Sequence, residues 1–137
     1  RIGDDVEIGA CTSVDCGAID DTVIENGVRI DNQIQIGHNV HLGEHTAVAA
    51  SAAIAGSARI GKRCLIAGLA GIAGHIEICD DVTILGKGMV SKSISEPGAY
   101  ASNFPVEDVR TWNRRVASFR RLDKLLGRVS DLEKNSK

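Results

Sequence analysis

The sequence predicts an all-β solenoid, a parallel β-helix of hexapeptide repeats, followed by a C-terminal α-helical extension. Three observations predict it. Residues 24, 30, 36, 42, 48, 54, 60, 66, 72, 78, 84 and 90 are all Ile, Leu or Val, an unbroken period of six. The residue two places earlier is apolar in most hexads, as at Val28, Ile34, Val40, Ala52, Ala58, Cys64, Ala70, Ile76 and Val82. Aromatic residues make up only 3% of the 137-residue chain, which fits a core too narrow for rings. Neither a helix, with its period of 3.6, nor an ordinary strand, with its period of two, produces this pattern.

The elements follow in order. Each hexad supplies one short strand and one corner, and three hexads close a triangular coil of 18 residues. Coils stack at the inter-strand spacing of about 4.8 Å, with the aliphatic residue pointing inward and its smaller predecessor filling space near the corner. An earlier block, Ile2, Ile8 and Val14, runs in a different phase. The step from Val14 to Ile24 is ten residues rather than six, so residues 15–23 (DCGAIDDTV) hold a four-residue insertion, a loop at one corner. Arg1 falls inside the repeat, and the chain is expected to be a piece of a longer protein. The β-helix is assigned to residues 1–94, about five coils. Residues 95–104, opening on Ser95-Glu96-Pro97-Gly98, read as a turn or linker. Beyond, Val109, Trp112, Val116, Phe119, Leu122, Leu126 and Val129 recur every three or four residues, which predicts an amphipathic helical extension over 105–137. Pro105 suits its first turn. Gly127 weakens its far end, and a helix–turn–helix is the variant. Such a seam needs a partner, either copies of itself or the end of the prism.

The net charge of −2 is unevenly spread. Residues 1–105 carry 7 Lys and Arg against 13 Asp and Glu, whereas residues 106–137 carry 9 against 5. A basic tail on an acidic body suggests an anionic partner for the tail, while charge alone is better explained by a solvated helix face. No nucleic-acid partner is expected. No run of about 18 apolar residues is present, so no membrane span is expected. Cys11, Cys16, Cys64 and Cys79 form no C-x-x-C pair, which argues against a zinc knuckle and for reduced thiols in a cytoplasmic protein.

Stacking in steps of 18 places the candidate chemistry. His38 falls in one column with Gly56 and Gly74, and His75 adjoins Gly74. Glycine lets a substrate approach the backbone and leaves an amide N–H open as an oxyanion donor. Gly88 and Met89 fall one coil further on, which sketches a groove along one edge for an extended ligand. His41 and His45 read as surface residues. A metal site is the rival reading, because some hexapeptide-repeat proteins, the γ-type carbonic anhydrases, hold zinc with three histidines between subunits. Here His45 belongs to a different hexad face from His38 and His75, so no metal ligands are assigned.

The segments IDNQIQIGHNVHLGEHTAVAASAAIAGSARIGKRCLIAG and GHIEICDDVTILGKGMVSKSISEPGAYAS resemble the UDP-3-O-(3-hydroxyacyl)glucosamine N-acyltransferases of lipid A biosynthesis, a branch of the hexapeptide-repeat acyltransferases. The resemblance covers nearly the whole chain. It implies a left-handed β-helix, a homotrimer with active sites between prisms, and a cytoplasmic enzyme of a Gram-negative bacterium. Members of that family also have a uridine-recognition domain and further coils before this region. The resemblance implies acyl transfer from acyl carrier protein to the 2-amino group of a UDP-sugar lipid substrate, UDP-3-O-acylglucosamine. It assigns the general base to His38, its orienting carboxylate to Asp31 and the oxyanion donor to the N–H of Gly56. His75, Gly74 and Met89 become substrate contacts. No cofactor is implied beyond the 4'-phosphopantetheine that arrives on acyl carrier protein. O-acyl transfer to UDP-N-acetylglucosamine is the nearest alternative chemistry.

Overall fold

The computed structural model describes residues 1–135. Two compact units divide at residue 103. The first, Arg1–Asn103, is a solenoid of very short parallel strands. Its first coil holds a bridge at Ile2, then β1 (Glu7–Ile8) and β2 (Ser13–Val14). The second coil is β3 (Val23–Ile24), β4 (Arg29–Ile30) and β5 (Gln35–Ile36); the third is β6 (His41–Leu42), β7 (Ala47–Val48) and β8 (Ala53–Ile54). The fourth is β9 (Arg59–Ile60), β10 (Leu65–Ile66) and β11 (Gly71–Ile72); the fifth is β12 (Glu77–Ile78), β13 (Val82–Ile84) and β14 (Met89–Val90). A further strand, β15 (Gly98–Tyr100), follows.

Every third strand up to β14 stacks into one of three sheets, and β15 joins the first after the bridge at Ile94, giving the orders β1-β4-β7-β10-β13-β15, β2-β5-β8-β11-β14 and β3-β6-β9-β12. These are the three faces of a prism. All twelve aliphatic residues of the six-residue register are buried, and so are the nine apolar residues two places before them. Where the earlier position is Thr rather than an apolar residue, the hydroxyl is satisfied. Thr46, fully buried, donates from Oγ1 to the Gly61 carbonyl (2.8 Å) and accepts the Cys64 N–H (3.0 Å). Cys64 fills an inward position as expected, and burial pushes its thiol pKa up, which leaves it a packing residue rather than a nucleophile.

Corners have a common device. Residues at six-residue steps, including Gln33, Asn39, His45, Ser51, Ser57, Arg63, Leu69, His75, Asp81 and Lys87, take φ between 53° and 61°. That left-handed conformation costs an L-residue about 1–2 kcal/mol. It turns the chain by one prism face, and the backbone bonds between coils recover the cost. Ser57 N–H to His38 carbonyl (2.8 Å) and His75 N–H to Gly56 carbonyl (3.2 Å) are two of them.

The register measures the length of every coil. Ile8 pairs with Ile30 and Val14 with Ile36, offsets of 22. The middle coils pair at 18, as Ile36 with Ile54 and Leu65 with Thr83. The extra four residues are the insertion expected at 15–23, at the corner between β2 and β3. At the other end the sequence expectation and the structure differ. The repeat was expected to stop before 95–104, yet Ile94 bridges to Ile78, and Gly98–Tyr100 pairs with Val82–Ile84, both at an offset of 16. The last coil is two residues short, which breaks the six-residue phase without ending the solenoid. Tyr100 and Ile94 pack against the core there, and the Tyr100 hydroxyl donates to the Glu96 carbonyl (2.8 Å).

The second unit begins at Phe104. Its helix starts at Val109 rather than near Pro105, because Asp108 caps it. The Asp108 carboxylate accepts the N–H groups of Arg110 and Thr111, both at 3.1 Å, and these bonds hold its pKa below the usual value. The helix–turn–helix variant holds: α1 (Val109–Phe119) and α2 (Leu122–Asn135) are separated by Arg120 and Arg121. The break is mild. Arg120 stays in the right-handed helical region, and the Arg121 N–H reaches the Ser118 carbonyl (3.0 Å), one residue closer than in an α-helix. Gly127 lies inside α2 and does not end it. Neither helix has a buried residue.

Candidate active site

One edge of the prism, where the β2-β5-β8-β11-β14 face turns into the β3-β6-β9-β12 face, gathers most of the predicted site. The insertion loop leaves β2 at its foot. His38 and Asn39 form the next corner, then Gly56 and Ser57, then Gly74 and His75. The register of Ile36 on Ile54 and Ile54 on Ile72 puts His38, Gly56 and Gly74 in one column, as the 18-residue step requires.

The imidazole of His38 lies over Gly56. A methyl group on Gly56 would sit 2.6 Å from both Cε1 and Nε2 of His38, so any larger residue displaces the ring. His38 is exposed and Gly56 half-buried. Among the described residues the Gly56 N–H has no acceptor, while the Gly56 carbonyl is engaged by His75. A ring nitrogen and an uncommitted amide donor therefore face one another's surroundings on an open edge. That pairing suits general-base chemistry beside a developing oxyanion.

The other expected site residues are placed differently. Asp31 follows β4 and lies at another corner, across the β5 face from His38. Its Oδ1 accepts the N–H of Asn32 (2.8 Å), so within one chain it does not orient His38. Instead Asp31 borders a shallow groove of about 720 Å³ on the neighbouring face, walled by Ala47, Ala49, Leu65 and Ala67. Met89 is on β14, in the outward column of Gly71, and is 75% exposed; it is off the edge that holds His38. The edge column above Gly74 continues one coil on at Lys92, which the 18-residue step would have indicated. The residue that does meet His38 is its neighbour Asn39, whose Oδ1 lies 2.9 Å from Nδ1. Sequence reasoning passed over it because an Asn at a corner is ordinary turn chemistry.

The remaining histidines are structural. His41, read from the sequence as a surface residue, is a half-buried member of strand β6. Its Nε2 is 2.8 Å from Glu25 Oε1, and Arg59 Nη1 lies 3.4 Å from its Nδ1. The bond to His41 is the main reason the Glu25 carboxyl is held below its usual pKa. His45 rests its ring on Gly27 one coil below. Among the described residues no group of three or more His, Cys, Asp or Glu side chains is arranged to hold a metal ion. All four cysteines are free thiols, and no helix among the described residues is long and apolar enough to cross a membrane.

No family model matches the chain. A curated UDP-3-O-acylglucosamine N-acyltransferase from Hahella chejuensis is 54% identical over 136 residues, which is 99% of this chain and 39% of that protein. The chain belongs to the hexapeptide-repeat acyltransferase family. It spans about two fifths of the length of that curated relative. A solved UDP-N-acetylglucosamine acyltransferase from Campylobacter jejuni superimposes with a TM-score of 0.66 at 25% identity, over 68% of this chain and 38% of that one. The corresponding enzyme of Francisella novicida matches with a TM-score of 0.72 at 19% identity, over 83% and 44%. A mirror-image coil would not superimpose on these solenoids, so this hexapeptide-repeat chain shares their left-handed β-helix.

Proposed function

We propose that this chain carries the acyl-transfer portion of an N-acyltransferase of lipid A biosynthesis. The donor is a 3-hydroxyacyl thioester on the phosphopantetheine of acyl carrier protein, and the acceptor is the 2-amino group of UDP-3-O-acylglucosamine. The observation that carries the reading is the imidazole of His38 lying over Gly56, beside an amide N–H with no acceptor among the described residues. The amine attacks the thioester carbonyl while His38 Nε2 takes its proton. The oxyanion meets the Gly56 N–H. The tetrahedral species then collapses with C–S cleavage, and the proton on His38 passes to the departing thiolate. No covalent enzyme intermediate forms.

Gly74 and His75 extend the edge along which the pantetheine and acyl chain lie, and Met89 contacts the chain from the adjoining face. Asp31 is a carboxylate that a second copy would bring near His38, where its charge would stabilise the protonated imidazole, which accords with a homotrimer whose sites lie between prisms. The tail, with 9 basic against 5 acidic residues after position 105, is a docking surface for the acidic carrier protein. The activity is that of a cytoplasmic enzyme.

His38→Ala in the full-length protein is the test. Turnover falls by about 10³-fold with the melting temperature and oligomeric state unchanged; retained turnover removes His38 as the base. An assay offering UDP-N-acetylglucosamine beside the amine acceptor separates N- from O-acyl transfer.

A further inference from the structure

The insertion loop and the edge histidine are joined by one side chain. Asn39 follows His38 and is half-buried, with φ of 61°. One end of its amide, Nδ2, donates to the backbone carbonyl of Asp20 in the loop. The other end, Oδ1, is 2.9 Å from His38 Nδ1. Chemistry decides which end is which. A backbone carbonyl only accepts, so the group facing Asp20 must be the NH2. The remaining amide oxygen also only accepts, so Nδ1 of His38 must carry the hydrogen between them. A neutral imidazole with its proton on Nδ1 has a bare Nε2, and Nε2 is one of the two ring atoms packed over Gly56.

The loop is built to hold this arrangement. The Asn39 backbone N–H donates to Thr22 Oγ1 (2.9 Å), and that hydroxyl donates to the Asp15 carbonyl (2.7 Å). Thr22 is itself buried at an inward position. Both ends of the insertion are thereby pinned to the His38 corner. Gly17 makes the loop path possible: a methyl group there would lie 1.7 Å from the Asp20 oxygen and 2.9 Å from Asn39 Nδ2. His45 supplies the contrast. Its ring also packs on a glycine, Gly27, but among the described residues its side chain makes no hydrogen bond. Packing on glycine alone leaves a ring's tautomer open.

We infer that Asn39, clamped by the 15–23 insertion loop, is a positioning residue that fixes His38 in the Nδ1–H tautomer and leaves Nε2 free to accept a proton. The catalytic consequence rests on the acyl-transfer reading above; the tautomer does not. The loop is then a part of the site that touches no substrate and acts through Asn39.

The experiment uses full-length protein labelled with 15N in its histidine rings, with the His38 signals assigned by their loss in His38→Gln. Two-bond 1H–15N correlations read the tautomer directly. Three variants are compared. Asn39→Gly accepts the left-handed backbone and removes the amide; Asn39→Asp keeps an acceptor next to Nδ1; Gly17→Ala displaces the Asp20 carbonyl and crowds Asn39 Nδ2 while leaving the amide in place. The unsubstituted protein and Asn39→Asp show the Nδ1–H form. Asn39→Gly shows a tautomer mixture and loses about 10- to 100-fold in kcat, with KM within twofold and the melting temperature unchanged. Gly17→Ala moves in the same direction by less. An Nε2–H form in the unsubstituted protein, or an Asn39→Gly variant with unaltered tautomer, overturns the inference. If the unsubstituted protein transfers no acyl group while the tautomers behave as stated, the reaction assigned above falls and the clamp stands.

Discussion

The solenoid and the helical tail bury their apolar residues in opposite ways. In the solenoid, Ile24, Ile36, Leu42, Ile54, Ile66 and Ile84 are each at most 1% exposed, and each is covered by coils above and below. In the tail, the seam expected to be a contact surface is open. Trp112 is 45% exposed, Leu126 57% and Phe119 75%. Both segments are equally regular in sequence. The difference is that a hexad closes on its own sequence neighbours 18 residues away, whereas a heptad seam does not close on its own repeat. Regularity predicts an element; only closure of the repeat predicts a core.

The largest expected effect sharpens that contrast. Ile54→Ala opens a cavity between three coils and costs about 2–5 kcal/mol, whereas Leu126→Ala in the isolated chain stays within about 0.5 kcal/mol. Denaturant unfolding followed by circular dichroism checks both. Equal losses would mean that the seam is covered in solution. A smaller effect probes the polar residue inside the prism. Thr46→Val strips the partner from the buried Cys64 N–H and costs about 1–3 kcal/mol, while Thr46→Ser stays close to the parent. The smallest effect is acid sensitivity, and it touches both units. Glu25, through His41, and Asp81, through Arg63, are held below their ordinary values of 4.5 and 3.8 in the solenoid, and Asp108 is held below 3.8 at the cap of α1. Each carboxyl binds its proton more weakly folded than unfolded. The stability it supplies is therefore complete above about pH 4.5 and is lost as pH falls through the folded pKa. Melting temperature against pH measures this, and Glu25→Gln flattens the curve.

Much of the solenoid was legible because burial acts on two residues in every six, the aliphatic residue and the one two places before it. The inward register, the four-residue insertion and the His38–Gly56–Gly74 column all follow from counting. What counting missed has a physical reason in each case. The sixth coil escaped because its 16-residue length shifts the phase while Ile94 and Tyr100 still face inward. Met89 was placed on the edge because adjacency in sequence was taken for adjacency on a corner, although it belongs to a strand. His41 looked solvated because its partners, Glu25 and Arg59, lie 16 and 18 residues away. Asn39 was overlooked because the loop carbonyl it holds is 19 residues back in the chain. The break between α1 and α2 leaves the apolar spacing intact, so the pattern alone reports one helix as readily as two.

The three register offsets, 22, 18 and 16, have a consequence for how such a chain changes over time. A coil can gain four residues or lose two at a corner, and the coils beyond it keep their inward faces. Lineages can therefore edit corners one at a time, and an engineer can graft a peptide at one, without redesigning the interior. Whole-coil duplication lengthens the prism by a fixed step of about 4.8 Å, like adding a tread to a ladder. Variation in ligand length and variation in local chemistry are thus written in separate places, the first in the number of coils and the second in what each corner carries.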